Sequence, residues 1–255
     1  MTRPQRVLVV QNDPSADARL LGDWLSGAGV ELETRRPYAG EPLPAELTGY
    51  GGLLVLGGAQ HAYDAADGTP GAPWFPACQA LLRAARRDRV PTLGVCLGAQ
   101  LIAEAFGGVV EPSPAGYDIG ACLVGKRDAG QQDPLFAAVP FMPDVVQWHG
   151  DDITEVPADA VLLAASPRHG HEAFRVGDRM WALQFHVECD VPMLSAWADE
   201  DPARLAELGI DRDALLAAAA AVLPDVEEVW RPFAERFAAL VQGRLGGMLL
   251  PVVDG

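Results

Sequence analysis

Residues 90–108 combine a buried strand, a tight turn and a helix, and this stretch constrains the fold of the chain most strongly. Residues 92–95 form a short apolar run of the kind found in buried strands. From Leu97 onward the apolar side chains recur at helical spacing, and Gly107 and Gly108 end that pattern. The stretch therefore predicts that a strand passes directly into a helix, with Cys96 at the turn between them.

Cys96 has the sequence surroundings of a nucleophile. The motif GVCLG at residues 94–98 is a G-x-C-x-G pattern, which follows the logic of the G-x-S-x-G nucleophile elbow with sulfur in place of the hydroxyl. The positive end of the following helix favours a thiolate, and the backbone N–H of Leu97 points to where an oxyanion would form. The other cysteines lack these surroundings and are interpreted as small buried hydrophobes: Cys78, Cys122 and Cys189.

A cysteine nucleophile needs a base and a group that orients the base, and residues 180–188 supply both. Residues 181–185 are predicted to form a buried strand, with His186 at its end. Glu188 follows two positions later, and residues i and i+2 of an extended chain point the same way. Its carboxylate can therefore hold the far nitrogen of the imidazole.

The sequences GVCLGAQ at residues 94–100 and QFHVE at residues 184–188 together resemble the class I (triad) glutamine amidotransferase family. The resemblance covers roughly residues 5–190. It is strongest to stand-alone members that are similar to the amidotransferase domain of GMP synthase and to plant gamma-glutamyl peptidases. Many members carry proline between the histidine and the glutamate, where this chain has Val187. A β-branched residue also keeps the chain extended there.

The resemblance implies further site residues. The backbone N–H of Gly58 would be the second oxyanion donor beside Leu97, although two glycines after a strand also suit an ordinary turn. Gln100 would contact the bound glutamine; the alternative is a side chain that faces solvent. Backbone groups at Trp148 and His149 would hold the α-carboxylate and the amine of the substrate.

The first forty residues predict a βαβ unit. Residues 6–11 and 30–36 have strand patterns, and the segment between them has apolar residues at helical spacing. This arrangement favours a parallel sheet with helices on both faces. With the resemblance, it predicts an α/β fold with a doubly wound, mostly parallel, flavodoxin-like sheet.

Residues 1–190 are expected to form the amidotransferase domain, and residues 191–255 a helical C-terminal extension packed on it. The extension is rich in alanine, leucine and acidic residues. Helices are predicted at 193–198, 203–208, 214–223 and 226–245, separated by Pro202, Gly209 and Pro224. Its role stays open at this point: it could pack on the core, close over the site or form an interface.

No metal or organic cofactor is expected. His61 has no partner at metal-ligand spacing, and for the segment 168–172, with His169 and His171, a third and fourth ligand at sensible spacing are missing. The four cysteines form no C-x-x-C pair, which argues against a zinc knuckle and a disulfide framework.

Charge and hydropathy narrow the possible partners and the location. The net charge of −16 repels phosphate backbones, so a nucleic-acid partner is not expected. No stretch reaches the about 20 apolar residues of a membrane span, and the first apolar run is too short for a signal peptide. These features, with free cysteines, predict a cytoplasmic protein without a membrane partner.

The predicted activity is hydrolysis of the γ-amide of glutamine through Cys96, His186 and Glu188, with ammonia released to a separate synthetase. No G-x-x-x-x-G-K-[ST] motif of an attached synthetase is present. A self-sufficient peptidase or hydrolase that acts on gamma-glutamyl conjugates is the alternative. A non-catalytic regulatory or binding protein of the same fold is a third reading, against which the intact cysteine, histidine and glutamate argue. The oligomeric state is left open.

Overall fold

The computed structural model describes residues 5–245. Within them the chain forms twelve strands and six α-helices. The strands are β1 (Gln5–Val10), β2 (Val30–Arg35), β3 (Gly52–Val55), β4 (Thr92–Val95), β5 (Val109–Pro112), β6 (Asp118–Leu123), β7 (Gly125–Lys126), β8 (Asp144–His149), β9 (Asp151–Glu155), β10 (Ala160–Ala165), β11 (Ala173–Val176) and β12 (Met180–Leu183). The helices are α1 (Arg19–Gly27), α2 (Phe75–Arg87), α3 (Leu97–Ala105), α4 (Val191–Glu200), α5 (Pro202–Glu207) and α6 (Arg212–Val241).

A central sheet of eight strands has the order β2-β1-β3-β4-β12-β11-β10-β7. Neighbouring strands run parallel from β2 to β12 and antiparallel from β12 to β7. Two small antiparallel sheets, β5-β9 and β6-β8, lie outside it. The predicted α/β architecture with a mostly parallel sheet is thus confirmed.

The order of the first strands creates a crevice at the end of the sheet where the parallel strands have their carboxyl ends. β2 lies on one side of β1 and β3 on the other, so the direction of strand addition reverses at β1. In open parallel sheets, ligands bind beyond the carboxyl ends of the strands at such a reversal. The chain segments that follow β1, β3, β4 and β12 all come to this edge.

Strand β1 shows why the sheet is covered on both faces. Val7 and Val9 belong to the apolar layer that contains α1 and α6, whereas Leu8 and Val10 belong to the layer that contains α2 and α3. Because successive side chains of a strand point to opposite faces, a run of four apolar residues requires a helix layer on each side. The run is fully buried, as predicted.

Helix α6 corrects one prediction. The sequence suggested that Pro224 separates two helices, but a single helix of 30 residues contains both Pro224 and Pro232. Each proline removes a helical hydrogen bond at a cost of about 3 kcal/mol. Both are exposed, so water can reach the freed carbonyls. Trp230, Phe233 and Phe237 are buried on the opposite side, and burial of each contributes roughly 1.5–3 kcal/mol, which offsets the loss.

The C-terminal helices pack on the sheet region rather than standing apart. α6 contacts α1, β6 and β8, and α4 contacts α6. Residues 1–4 and 246–255, which belong to the predicted domain bounds, lie outside the described residues. No helix within residues 5–245 is both long and apolar enough to cross a membrane.

Candidate active site

Cys96 stands between β4 and α3 with a backbone φ of 51° and ψ of −110°. A positive φ in a residue with a side chain is strained. The two flanking glycines make this turn possible: a Cβ at Gly98 would overlap the carbonyl oxygen of Val55, and a Cβ at Gly94 would lie 2.6 Å from the carbonyl oxygen of Gly98. The predicted elbow is therefore present, with glycine at the two positions where no side chain fits.

The sulfur of Cys96 lies in polar surroundings at the floor of a cavity. The cysteine is 6% exposed. Its Sγ is 3.9 Å from the backbone oxygen of Trp148 and 3.8 Å from the side-chain nitrogen of Gln184. The sulfur is thus screened from bulk solvent on its inner side and open toward the cavity that Cys96 lines.

His186 and Glu188 form a buried pair beside this cysteine. His186 Nδ1 is 2.7 Å from Glu188 Oε1, and the two residues are 3% and 1% exposed. His186 Nε2 makes no hydrogen bond within residues 5–245. Since the carboxylate can only accept, Nδ1 carries a proton and Nε2 is left for exchange with Cys96.

The pKa of His186 reflects two opposing effects. Burial by itself lowers the pKa, because it disfavours the charged imidazolium. The negative charge of Glu188 and the interactions of the ring with Glu188 and Cys96 outweigh burial and raise the pKa above the usual 6.5. The arrangement therefore favours the imidazolium form of His186.

The backbone around His186 differs in detail from the prediction. β12 ends at Leu183, so His186 lies three residues beyond the strand rather than at its end. It is held instead by Val146 of β8, whose oxygen accepts the N–H of His186 at 2.8 Å. β12 ends at Leu183 because its neighbour β4 ends opposite it at Val95 and turns into the elbow at Cys96. The parallel direction of His186 and Glu188 is preserved.

Gly58 and Leu97, the predicted oxyanion donors, lie next to each other. A Cβ on Gly58 would meet the Leu97 side chain at 2.9 Å, and Gly58 lines the cavity together with Cys96. The loop after β3 is anchored by Asn12, whose side chain donates to the oxygen of Leu56 at 2.8 Å. The structure thus brings both backbone segments to the cysteine.

Gln100, Trp148 and His149, the predicted substrate contacts, all line the cavity. The Gln100 amide is already engaged within the protein, since its nitrogen donates to Gln184 Oε1 at 3.2 Å. His149 is not arranged as the catalytic base, because its Nδ1 donates to the backbone oxygen of Asp151 at 2.9 Å. Burial lowers the pKa of His149 to about 4.

Trp197 belongs to the site although the sequence did not indicate it. Its ring lies 4.7 Å from that of His186 and 5.9 Å from that of Trp148, measured between centroids. Its indole nitrogen donates to the backbone oxygen of Ser15 at 3.0 Å. A tryptophan on an amphipathic helix is typical of a core position, so only the tertiary arrangement shows that α4 forms a wall of the site.

The cavity above Cys96 has a volume of about 390 Å³. This lies within the about 300–1,000 Å³ of small-molecule sites. His61, which the sequence does not indicate as a metal ligand, is exposed at its wall and pairs with Asp151. The lining is acidic, with four carboxylates: Asp13, Asp151, Glu200 and Asp201.

Comparison with known proteins identifies relatives of the chain. The family model described as glutamine amidotransferase class-I matches residues 23–191. The glutamine amidotransferase-like protein YfeJ of Salmonella typhimurium is 29% identical over 204 residues, which are 79% of this chain and 83% of that protein. Gamma-glutamyl peptidase 4 of Arabidopsis thaliana is 27% identical over 172 residues, 66% of this chain and 64% of that protein.

A solved structure has the same fold. The crystal structure of a glutamine amidotransferase from Thermotoga maritima superposes with a TM-score of 0.81 at 25% identity. The match covers 92% of this chain and 98% of that one, so it includes the C-terminal helices as well as the sheet.

Proposed function

Because the chain belongs to the class I glutamine amidotransferase family, we propose that it hydrolyses the γ-amide of glutamine through Cys96, His186 and Glu188. Ammonia is released to a separate acceptor enzyme. The observation that carries the proposal is the His186–Glu188 pair at 2.7 Å beside the strained Cys96 turn. A nucleophile, a base and an orienting carboxylate are the components that acyl transfer requires.

The first half of the reaction forms a thioester. The Cys96 thiolate attacks the side-chain carbonyl carbon, and the N–H groups of Gly58 and Leu97 stabilise the resulting oxyanion. The carbon–nitrogen bond then breaks, and His186 transfers its Nε2 proton to the departing nitrogen. Ammonia leaves, and the glutamyl group remains on the sulfur.

The second half returns the enzyme to its starting state. Neutral His186 accepts a proton from water as the water oxygen attacks the thioester carbonyl. The carbon–sulfur bond breaks, glutamate leaves, and the thiolate and imidazolium are restored. Glu188 keeps the proton on Nδ1 and stabilises the imidazolium in both halves.

A gamma-glutamyl peptidase or hydrolase that works alone is the second candidate. It is favoured by the extent of the cavity, which continues from Cys96 to Ser15 after β1 and to Glu200 at the end of α4. A group larger than ammonia can therefore leave from the same carbonyl carbon. The name of the Arabidopsis relative points the same way.

One assay tests the mechanism and separates the two candidates. Hydrolysis of L-glutamine and of glutathione is measured side by side with the wild-type chain and with Cys96→Ala and Cys122→Ala. We expect Cys96→Ala to lose activity by about 10⁴-fold or more. Cys122→Ala, which removes a thiol from β6, keeps the wild-type rate. Full activity in Cys96→Ala contradicts the mechanism.

The substrate preference then decides the physiological role. Rapid turnover of glutathione by the isolated chain identifies a peptidase. Slow turnover of glutamine with inert glutathione identifies a glutaminase subunit that depends on its synthetase.

A further inference from the structure

Three potential metal ligands converge behind the cavity wall. They are Asp118 at the start of β6, His149 at the end of β8 and His169 in the loop after β10. One ligand atom from each lies within 4.8 Å of the others. Asp118 and His149 face each other in the β6–β8 ladder, and the two histidine rings are 4.9 Å apart. His149 alone among the three also lines the cavity.

The Nδ1 atoms of the two histidines are held by groups outside the cluster, and both Nε2 atoms face it. His149 Nδ1 donates to the backbone oxygen of Asp151 at 2.9 Å, and His169 Nδ1 is 3.1 Å from Asp152 Oδ2. The backbone oxygen of Asp151 can only accept, so the His149 ring carries its proton on Nδ1. Metal-binding histidines are commonly held in this way, by a backbone carbonyl or a carboxylate on the far nitrogen.

The ligand atoms are buried and unpartnered. His169 is 0% exposed and His149 5%. Neither Nε2 atom has a hydrogen-bond partner within residues 5–245. A buried polar atom without a partner costs free energy, and a cation bound between these atoms and the Asp118 carboxylate removes that cost.

We propose that Asp118, His149 and His169 bind a divalent transition-metal ion such as Zn²⁺. Two imidazole nitrogens and one carboxylate oxygen form a ligand set that suits this class of ion. His169 Nε2 is 3.4 Å from Asp118 Oδ2, which matches the about 3.4 Å between ligand atoms around a tetrahedral zinc ion. Water completes the coordination.

The surrounding charges favour a cation. Asp152 and Glu172 are buried nearby, and His169 is subject to the negative charge of both. Arg168 is the opposing charge, but its guanidinium approaches Asp118 Oδ1, at 3.6 Å, and leaves Oδ2 for the cluster.

The site was invisible to spacing rules because its ligands are far apart in sequence. The sequence around His169 offers no third and fourth ligand at sensible spacing, whereas the fold brings Asp118 and His149 to it from two other strands. A bound ion ties the loop after β10 to the end of β8. Gly150 and Asp151, which follow directly, form part of the cavity wall, so the ion rigidifies that wall.

Cobalt binding tests the proposal directly. All chains carry Cys96→Ala, so that the reactive thiol cannot bind the ion, and are stripped with a chelator before Co²⁺ and competing Zn²⁺ are titrated. We expect one ion per chain, with visible d–d absorption and no sulfur charge-transfer band. His169→Gln and Asp118→Asn are expected to weaken binding by about 100-fold or more.

His171→Gln is the matched control. His171 lies two residues from His169, but its Nδ1 contacts the backbone oxygen of Ile153 outside the cluster. We expect this variant to bind Co²⁺ and Zn²⁺ with the affinity of the parent chain. If circular dichroism shows that His169→Gln does not fold, Asp118→Asn tests the proposal instead. The side chain of Asp118 is partly exposed, so its replacement disturbs the fold less.

Three results overturn the proposal. One is the absence of stoichiometric binding in the parent chain. Another is equal affinity in Asp118→Asn. An imidazolium at His169 with protons on both nitrogens, seen by NMR at neutral pH in excess zinc, also contradicts the site, because the proton then holds the place of the ion.

Discussion

At the scale of single residues, the site joins a strained turn to a buried ion pair. A positive φ at a residue with a side chain costs of order 1–3 kcal/mol. Cys96 keeps this conformation because Gly94 and Gly98 allow the strand and the helix to pack closely around it. This strained conformation places the sulfur beside the His186 ring and outside the sheet.

Replacing Glu188 by glutamine tests the ion pair. The amide keeps the shape but removes the charge that raises the pKa of His186. We expect the pKa of His186, measured by NMR titration, to fall and the hydrolysis rate to drop about 10²–10⁴-fold. Glu228→Gln on the exposed face of α6 removes the same charge and changes neither quantity.

The pairing of His186 with Glu188 makes the free energy of unfolding depend on pH. The imidazolium of His186 stabilises the fold below its usual pKa of 6.5, and this contribution is lost as pH rises through the higher folded-state pKa. Glu188→Gln is therefore less stable than the wild type at pH 6, and the difference narrows in alkaline solution. An unchanged pKa of His186 in this variant contradicts the role given to Glu188.

The sequence predicted the catalytic candidates better than their surroundings. Cys96, His186 and Glu188 belong to short motifs whose geometry is local: a tight turn and a spacing of two in extended chain. Trp197 and the cluster of Asp118, His149 and His169 depend on contacts between distant segments. No spacing rule can predict such contacts.

At the scale of elements, α4 is both a structural helix and a wall of the site. Asp190 caps it by accepting the backbone N–H of Met193 at 2.8 Å. The helix directly follows the loop that carries His186 and Glu188. Its Trp197 therefore packs on the imidazole that the preceding residues provide.

Trp197→Ala tests this wall, with Trp24→Ala as the matched control. The two tryptophans are 6% and 7% exposed, so both variants lose stability by about 3–5 kcal/mol. Only Trp197→Ala removes a ring from His186, and we expect its kcat/KM to fall about tenfold. Trp24→Ala, measured at a temperature where both chains are folded, keeps wild-type kinetics. Equal kinetic effects contradict a site role for α4.

Most strands and helices were predictable because their apolar patterns agree with their burial. The exception was the break expected at Pro224. Local propensity favoured a break, but the stripe of Trp230, Phe233 and Phe237 is anchored in the core and continues the helix through the proline. Packing energy, which the local sequence does not report, decided the outcome.

At the scale of the whole molecule, the negative charge of the chain matters most where it surrounds the cavity. The chain carries a net charge of −16, and four carboxylates line the cavity. An anion that enters this cavity meets repulsion that salt screens, since the Debye length falls from about 30 Å at 0.01 M salt to about 3 Å at 1 M.

Salt dependence of product inhibition tests this field. Glutamate and glutamine differ by one negative charge and have nearly the same shape. We expect the inhibition constant of glutamate to fall roughly threefold as salt increases from about 0.01 to 0.5 M, while the KM of glutamine changes little. Asp201→Asn reduces the salt effect. Equal responses of the two ligands contradict an electrostatic role for the lining.

The end of α6 covers the start of β3 and the turn that follows α1. Val241 packs against Gly51 and Gly52 at the start of β3, and the Gln242 side chain donates to the backbone oxygens of Ala28 and Gly29. During translation β3 leaves the ribosome roughly 190 residues before Val241, a delay of roughly 10–40 s at about 5–20 residues per second. The start of β3 therefore stays uncovered by the end of α6 on the nascent chain for that time.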